Sequence, residues 1–403
     1  MPVTGLKLQG PVLSPSRKKR KIFILHASCG SGHRRAAEAV HAALAEEEAT
    51  EVRTLDILEE APAWYRKLYR DGYSFLVRKA PSLWDRLYRW CDVPSGTRGR
   101  RFLEEIEGRI TRRFLRRIQT EQPDAVLCTH YLPLYLLGVM KARGLYRGLL
   151  FGVVTDYAVH RLWVNPEADG YAVATARTGE EMKRCGVPPD RVHVTGIPIH
   201  PIFGIDFDRR EIRRRLEIPE SRPLVLILSG GIGVGHLDKL LSRLRPLAGQ
   251  VTFLASSPGN SALRRTLEKM REKEIPDLRI IGYVKNIHEY MAAADLLVTK
   301  PGGLTVTEAL ALRLPMILVD PIPGQEEGNA RYLAEQGAAL WAREGGTLEE
   351  VEGLLRSSER REELRVRMDP LARPAAARHV AGILLGLLRE SNGGNGAWKR
   401  PCA

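Results

Sequence analysis

Cysteine is scarce in this chain and poorly placed for chemistry. Cys29, Cys91, Cys128, Cys185 and Cys402 are five in 403 residues, with no CxxC pair and no histidine at metal-ligand spacing. That scatter argues against a structural zinc and predicts a reduced, cytosolic chain. Long apolar runs are missing as well. No segment approaches the ~20 apolar residues that span a bilayer, and the apolar run 22–25 behind the basic stretch 17–21 is interrupted by His26, well short of a signal-peptide core. The net charge of +14 calls for an anionic partner. No helix-turn-helix, zinc or RNP signature accompanies it, which turns the reading away from nucleic acid.

What is present is apolar content of 44%, enough for two cores in 403 residues. Short Val/Ile/Leu-rich runs alternate with longer amphipathic stretches, the pattern of parallel strands joined by helices. One series of strands is expected at 21–27, 51–55, 125–129, 149–155, 171–175 and 192–195, and a second at 224–228, 251–255, 278–282, 296–299 and 316–319. Two such series imply an α/β protein with two doubly wound, Rossmann-like sheets in tandem. Pro198 and Pro201 oppose regular structure in the stretch between them. The expected division is a basic extension over 1–20, a first domain over 21–198 and a second over 199–375. An amphipathic helix over 376–392 carries Val380, Ile383, Leu384, Leu387 and Leu388 on one face. The tail 393–403 is expected to be disordered.

The chemistry-bearing segments follow strands. The first strand runs into Ser28-Cys29-Gly30-Ser31-Gly32-His33, a small-residue loop that opens a helix, where unpaired N–H groups form a natural ligand site. It is neither a dinucleotide fingerprint nor a phosphate-binding GxxxxGK[ST] loop. His33 can act as general base there, or simply cap and pack. A second loop of the same design contains Gly230, Gly231, Gly233, Gly235 and His236, and lets the backbone approach a diphosphate. The most specific stretch runs from Asp295 to Asn329. A strand ends at Lys300-Pro301-Gly302-Gly303, a helix starts near Thr305, and Glu308 lies on its first turn, suited to a ribose or to the helix dipole alone. Gln325, Glu326 and Asn329 follow the next strand at the carboxyl edge of the sheet and offer a mixture of donors and acceptors for sugar hydroxyls.

KPGGLTVTEA, PGQEEGN, SCGSGHRRAAEA and TDYAVHRLW, colinear over roughly 21–339, resemble the monogalactosyldiacylglycerol synthase and processive diacylglycerol glucosyltransferase family, with the lipid-II-forming N-acetylglucosaminyltransferase as a more distant relative. The resemblance implies a GT-B architecture with UDP-glucose or UDP-galactose as co-substrate and no cofactor. Diacylglycerol would be the acceptor, bound by the first domain. It assigns Glu308 to ribose, Gly230–Gly235 to the diphosphate, Gly302, Gly303 and Thr305 to the donor site, and Gln325, Glu326 and Asn329 to the sugar. His33 becomes the expected base beside Gly32. Asp156, His160 and Trp163 are expected to face the cleft from the acceptor side. Asp156 either charge-stabilises a catalytic histidine or caps its turn, and His160 positions acceptor. No DxD pair sits in a cleft-facing loop, so no catalytic metal is expected. A UDP-sugar epimerase and a non-enzymatic UDP-sugar-binding module are the competing readings.

Between Trp64 and Trp90, aromatics are interleaved with Arg and Lys. Tyr65, Leu68, Tyr69 and Leu76 share one helical face, and Leu83, Trp84, Leu87 and Tyr88 share another. Trp84 and Trp90 are expected at a bilayer interface, with basic residues drawn to anionic lipid. Arg98, Arg100, Arg101, Arg109, Arg112, Arg113, Arg116 and Arg117 extend that positive surface. The expected location is the inner face of the cell membrane, held peripherally. A helical hairpin packed on the first sheet is the alternative.

Overall fold

The structure, a computed structural model, describes residues 19–28, 30–47, 50–90, 92, 111–229, 237–257, 260–343 and 345–393. The loop 230–236, Arg98, Arg100, Arg101, Arg109, and nearly all of the basic extension and the tail lie outside these residues.

Two six-stranded, wholly parallel sheets form the frame. The first has the order β2-β1-β3-β4-β5-β6, from β1 (Arg20–His26), β2 (Thr50–Asp56), β3 (Ala125–Cys128), β4 (Leu149–Val153), β5 (Gly170–Val173) and β6 (Val192–Val194). The second has the order β12-β11-β10-β7-β8-β9. Its strands are β7 (Leu224–Leu228), β8 (Thr252–Ser256), β9 (Leu278–Ile281), β10 (Leu296–Thr299), β11 (Met316–Leu318) and β12 (Leu340–Trp341). All eleven expected strands are present. β12 adds a twelfth, two residues long, too short to give a periodic signal.

Central strands buried on both faces read as continuous apolar runs, which is why Ile22–Leu25 and Leu224–Ile227 are wholly inside. Helix α1 (Ser31–Ala45) covers one face of the first sheet through Ala37, Val40 and Leu44, whereas Ala36, expected on the same face, packs into the core of the second domain. The helix Ala376–Gly393 returns from the second domain and closes the same core with Val380, Ala381, Leu384 and Leu388. The crossing is tight. Gly196, at φ +88° in the junction, leaves no room for a side chain, because a Cβ there would stand 2.5 Å from that of Arg373.

Strand order reverses between β1 and β3 in one sheet and between β7 and β10 in the other. Loops diverge at such a switch point and open a crevice at the carboxyl ends of the strands. The crevices face each other across the domain interface. Where they meet, Gly303 lies against the Thr155 carbonyl, and a Cβ on Gly303 would overlap that oxygen. Glycine is required at 303 for the two domains to meet.

Candidate active site

His33 lies in the first turn of α1, half-buried, with its Nδ1 2.7 Å from the Thr129 carbonyl and 3.1 Å from Thr155 Oγ1. A carbonyl only accepts, so Nδ1 carries the proton and Nε2 keeps its lone pair. Burial pulls the His33 pKa down to about 4, against the Thr129 carbonyl that favours the charged ring. The ring is therefore neutral at pH 7. His130, which caps the helix Tyr131–Ala142 by accepting from Leu132 N–H, meets His33 edge-on at 4.6 Å between centroids and is itself held neutral by burial.

His33 lines an apolar chamber of about 550 Å³. Its roof is a helical hairpin, α2 (Ala63–Lys79) and α3 (Pro81–Trp90), which contributes Leu68, Tyr73, Leu76, Trp84 and Leu87. The second domain supplies the opposite wall with Gly302, Gly303, Gln325 and Glu326. The hairpin is tied to that wall. Tyr73 Oη donates to Gln325 Oε1 at 3.1 Å, and Val77, Trp84 and Tyr73 pack on Ile322. Glu326 accepts from Ile322 N–H at 2.9 Å, while burial pushes its carboxyl up to about 7.

A second, more polar cleft of about 1130 Å³ adjoins the chamber. Thr305 and Glu308 line it from the second domain, and Ser28, Arg34 and Arg35 from the first. Glu308 is 2% exposed; its Oε1 is paired with the Arg35 guanidinium, and its Oε2 is buried with no hydrogen-bond partner. Burial raises the Glu308 pKa to about 7, the Arg35 charge opposing. A buried carboxylate oxygen without a donor is costly unless a ligand supplies one.

Several expected positions are corrected. Trp163 does not face the cleft: the short turn Arg161–Trp163 rotates it into the core of the first domain, 4% exposed. His160 does line the chamber, accepting from Leu162 N–H through Nδ1 and donating from Nε2 to the Tyr88 carbonyl at 2.9 Å. Asn329 is fully buried and its amide is spent on the domain interface. Its Oδ1 accepts from Tyr157 N–H at 2.7 Å, and its Nδ2 donates to Asp156 Oδ1 at 2.9 Å and to the Pro301 carbonyl at 3.0 Å. Asp156 lines the chamber, and burial lifts its pKa to about 6 against that hydrogen bond. Trp84, expected at a lipid interface, turns inward, and its indole nitrogen is buried without a partner. Tyr65 is likewise buried. Trp90 stands 57% exposed, on a stripe with Leu83 and Leu87. Gly32 lines the chamber, 3.6 Å for a would-be Cβ from Leu304 of the other domain. Gly230, Gly231, Gly233 and Gly235 lie outside the described residues.

Sequence reasoning missed Arg35, His130 and Tyr73. The HRRA and CTHY stretches carried the first two; nothing in the sequence marked Tyr73.

Comparison with known proteins agrees with this fold. The model of monogalactosyldiacylglycerol (MGDG) synthase matches residues 33–199, and that of the glycosyltransferase family 28 C-terminal domain matches 225–371. The chain is 30% identical over 355 residues to a processive diacylglycerol beta-glucosyltransferase of Bacillus pumilus (strain SAFR-032), covering 87% of this chain and 91% of that protein. The protein of the same name from Bacillus cytotoxicus is 29% identical over 372 residues, 91% of this chain and 94% of the other. Among solved structures, the S. aureus MnaA-UDP co-structure matches at TM-score 0.63 and 14% identity, covering 92% and 97% of the two chains. Acinetobacter baumannii MurG matches at 0.57 and 18%, covering 91% and 99%. At these identities the solved structures speak for the fold alone. The paired sheets, the facing crevices and a relative matched along nine-tenths of its length make the chain a GT-B glycosyltransferase belonging to the monogalactosyldiacylglycerol synthase and processive diacylglycerol glucosyltransferase family.

Proposed function

We propose that the protein is an inverting transferase that moves a hexose from a UDP-sugar to the free hydroxyl of diacylglycerol at a membrane surface. One observation carries the reading: a neutral histidine with an unprotonated Nε2 lining an apolar chamber, beside a polar cleft with a buried carboxylate that has one oxygen unsatisfied. The cleft suits a nucleotide, its ribose on Glu308, and Gln325 and Glu326 reach the hexose. The acceptor glycerol enters the chamber. Its oxygen attacks the anomeric carbon as the bond to the β-phosphate breaks, the electron pair stays with UDP and the proton goes to His33 Nε2. An α-linked donor then gives a β-glycoside. The loop 230–235 takes the diphosphate by resemblance.

Glucose is the favoured donor, in keeping with the name borne by the matched Bacillus proteins. Docking on anionic lipid at the inner face of the membrane is supported by the hairpin. Trp64, Leu68 and Phe75 form one exposed apolar stripe on α2, and Leu83, Leu87 and Trp90 form another on α3. Leu68 and Leu87 belong both to these stripes and to the chamber wall, so the chamber opens on the apolar face. No helix among the described residues is long and apolar enough to cross a membrane.

The test is incubation with radiolabelled UDP-glucose or UDP-galactose, with and without diacylglycerol in vesicles. Label in the lipid phase only when diacylglycerol is present is expected. Donor converted to an epimer, or bound and unchanged, would return the reading to one of its alternatives.

A further inference from the structure

Gly30, Ser31, Arg35, Ser229 and Thr305 line both the polar cleft and the apolar chamber, and Arg35 is the one of these five that carries a charge. With ribose on Glu308 and the base at His33, the bond that breaks must lie between the two cavities, beside this set. Arg35 sits on α1, one turn from Ser31, and its guanidinium crosses the interface to the buried Glu308 carboxylate of the second domain. A guanidinium carries five N–H donors in a fork that matches phosphate as well as carboxylate, so the ion pair with Glu308 leaves the fork capacity for a second anion.

We infer that Arg35 is a leaving-group residue that changes partner during the cycle, holding Glu308 in the empty enzyme and turning to the β-phosphate once ribose hydroxyls occupy that carboxylate. The inference rests on the proposed use of a UDP-sugar. In the empty protein the pair covers one oxygen of a carboxylate that would otherwise be a lone buried charge. When the nucleotide enters, ribose hydroxyls donate to Glu308 and its need for the arginine falls. As the bond from the anomeric carbon to the phosphate oxygen breaks, its electron pair stays on UDP, and the guanidinium neutralises the charge that accumulates there. The acceptor's proton goes to His33. Arg35 therefore supplies positive charge at the leaving group from protein alone, and does so only after the nucleoside is seated.

The experiment compares uridine and UDP binding by calorimetry, then turnover, in wild type, Arg35→Ala and Arg35→Gln. Uridine reports the ribose site without a diphosphate, and its binding also verifies that each variant is folded. At a pH well above 7, where Glu308 stays ionised without the arginine, both variants are expected to bind uridine at least as well as wild type, since Glu308 is released, and to bind UDP about 10-fold more weakly or worse, as befits a lost charge-assisted contact. Turnover should fall about 10²-fold, the scale of one removed transition-state donor. Guanidinium chloride at millimolar concentration should restore part of it in Arg35→Ala but not in Arg35→Gln, whose side chain fills the space. Uridine and UDP affinities moving by the same factor, with turnover unchanged, would overturn the inference and leave Arg35 as a domain latch. Neither ligand needs an acceptor, so a protein that transferred nothing to diacylglycerol would fail the proposed function and still give a readable answer here.

Discussion

Removing the imidazole of His33 tests the base assignment where the structure is most explicit. Nδ1–H donates to the Thr129 carbonyl, with Thr155 Oγ1 also within 3.1 Å, which fixes the ring and selects the tautomer that leaves Nε2 as acceptor. An alcohol is a poor nucleophile at neutral pH, and a positioned base contributes about 10²–10⁴-fold, or ~3–5 kcal/mol of barrier. His33→Ala should lower kcat within that range while UDP affinity and vesicle binding change little. With a pKa near 4, the ring of the free enzyme stays neutral down to about pH 5, so His33 itself should impose no acid limb above that. The same depression affects stability. Between pH 4 and 6.5 the unfolded chain binds a proton at His33 that the folded chain refuses, so stability rises with pH through this window and is fully present above 6.5. The contribution is at most ~3 kcal/mol, and His33→Ala should flatten the acid side of the melting-temperature profile. A variant that keeps its turnover, while Asp156→Ala loses all of it with donor binding intact, would move the base to the other loop.

Three further outcomes follow from the same geometry. Glu308→Gln should weaken UDP by about 1.5–3 kcal/mol. In wild type, UDP affinity should decline as pH falls below the Glu308 pKa of about 7, because protonation removes the charge that the ribose hydroxyls meet; a flat profile by calorimetry would end the ribose assignment. Activity should survive excess EDTA, since amides at a helix start and a guanidinium replace a cation at the diphosphate, whereas loss restored by magnesium or manganese would contradict this chemistry. Vesicle sedimentation should require acidic lipid and weaken with salt, at ~1 kcal/mol per basic residue near the surface. It should weaken further in Trp64→Ser with Trp90→Ser, and equal binding to neutral vesicles at every salt would favour a hairpin that only packs.

Strand positions were legible because buried parallel strands need unbroken apolar runs, and the family motifs fell on the loops that follow those strands. Side-chain direction outside regular elements was not. Trp163 follows a strand at a distance suited to the cleft, yet one turn of 3-10 helix sends it into the core. On the hairpin, grouping Leu83 with Trp84 and Leu87 with Tyr88 hid a division. Consecutive helix residues differ by about 100° in direction, so Leu83 faces out and Leu87 stands exposed at the chamber's rim, while Trp84 and Tyr88 turn inward to line it. Asn329 and Gly303 both carry motif signals that suit a ligand. Their present contacts are with the other domain, through the Tyr157 amide and the Thr155 carbonyl, which no single-domain pattern encodes. Arg35 was hidden for the same reason, its partner lying 273 positions away in the other domain.

The central claim is that an acceptor hydroxyl in the apolar chamber, deprotonated at His33, displaces UDP with inversion. Its most direct measurement is the anomeric configuration of the glycolipid made from diacylglycerol and UDP-glucose labelled with carbon-13 at the anomeric position, read by NMR of the lipid extract. The account predicts a β-glucoside whose formation stops in His33→Ala. An α-glucoside would contradict single displacement, and label found only in water-soluble sugar would contradict the acceptor chamber itself.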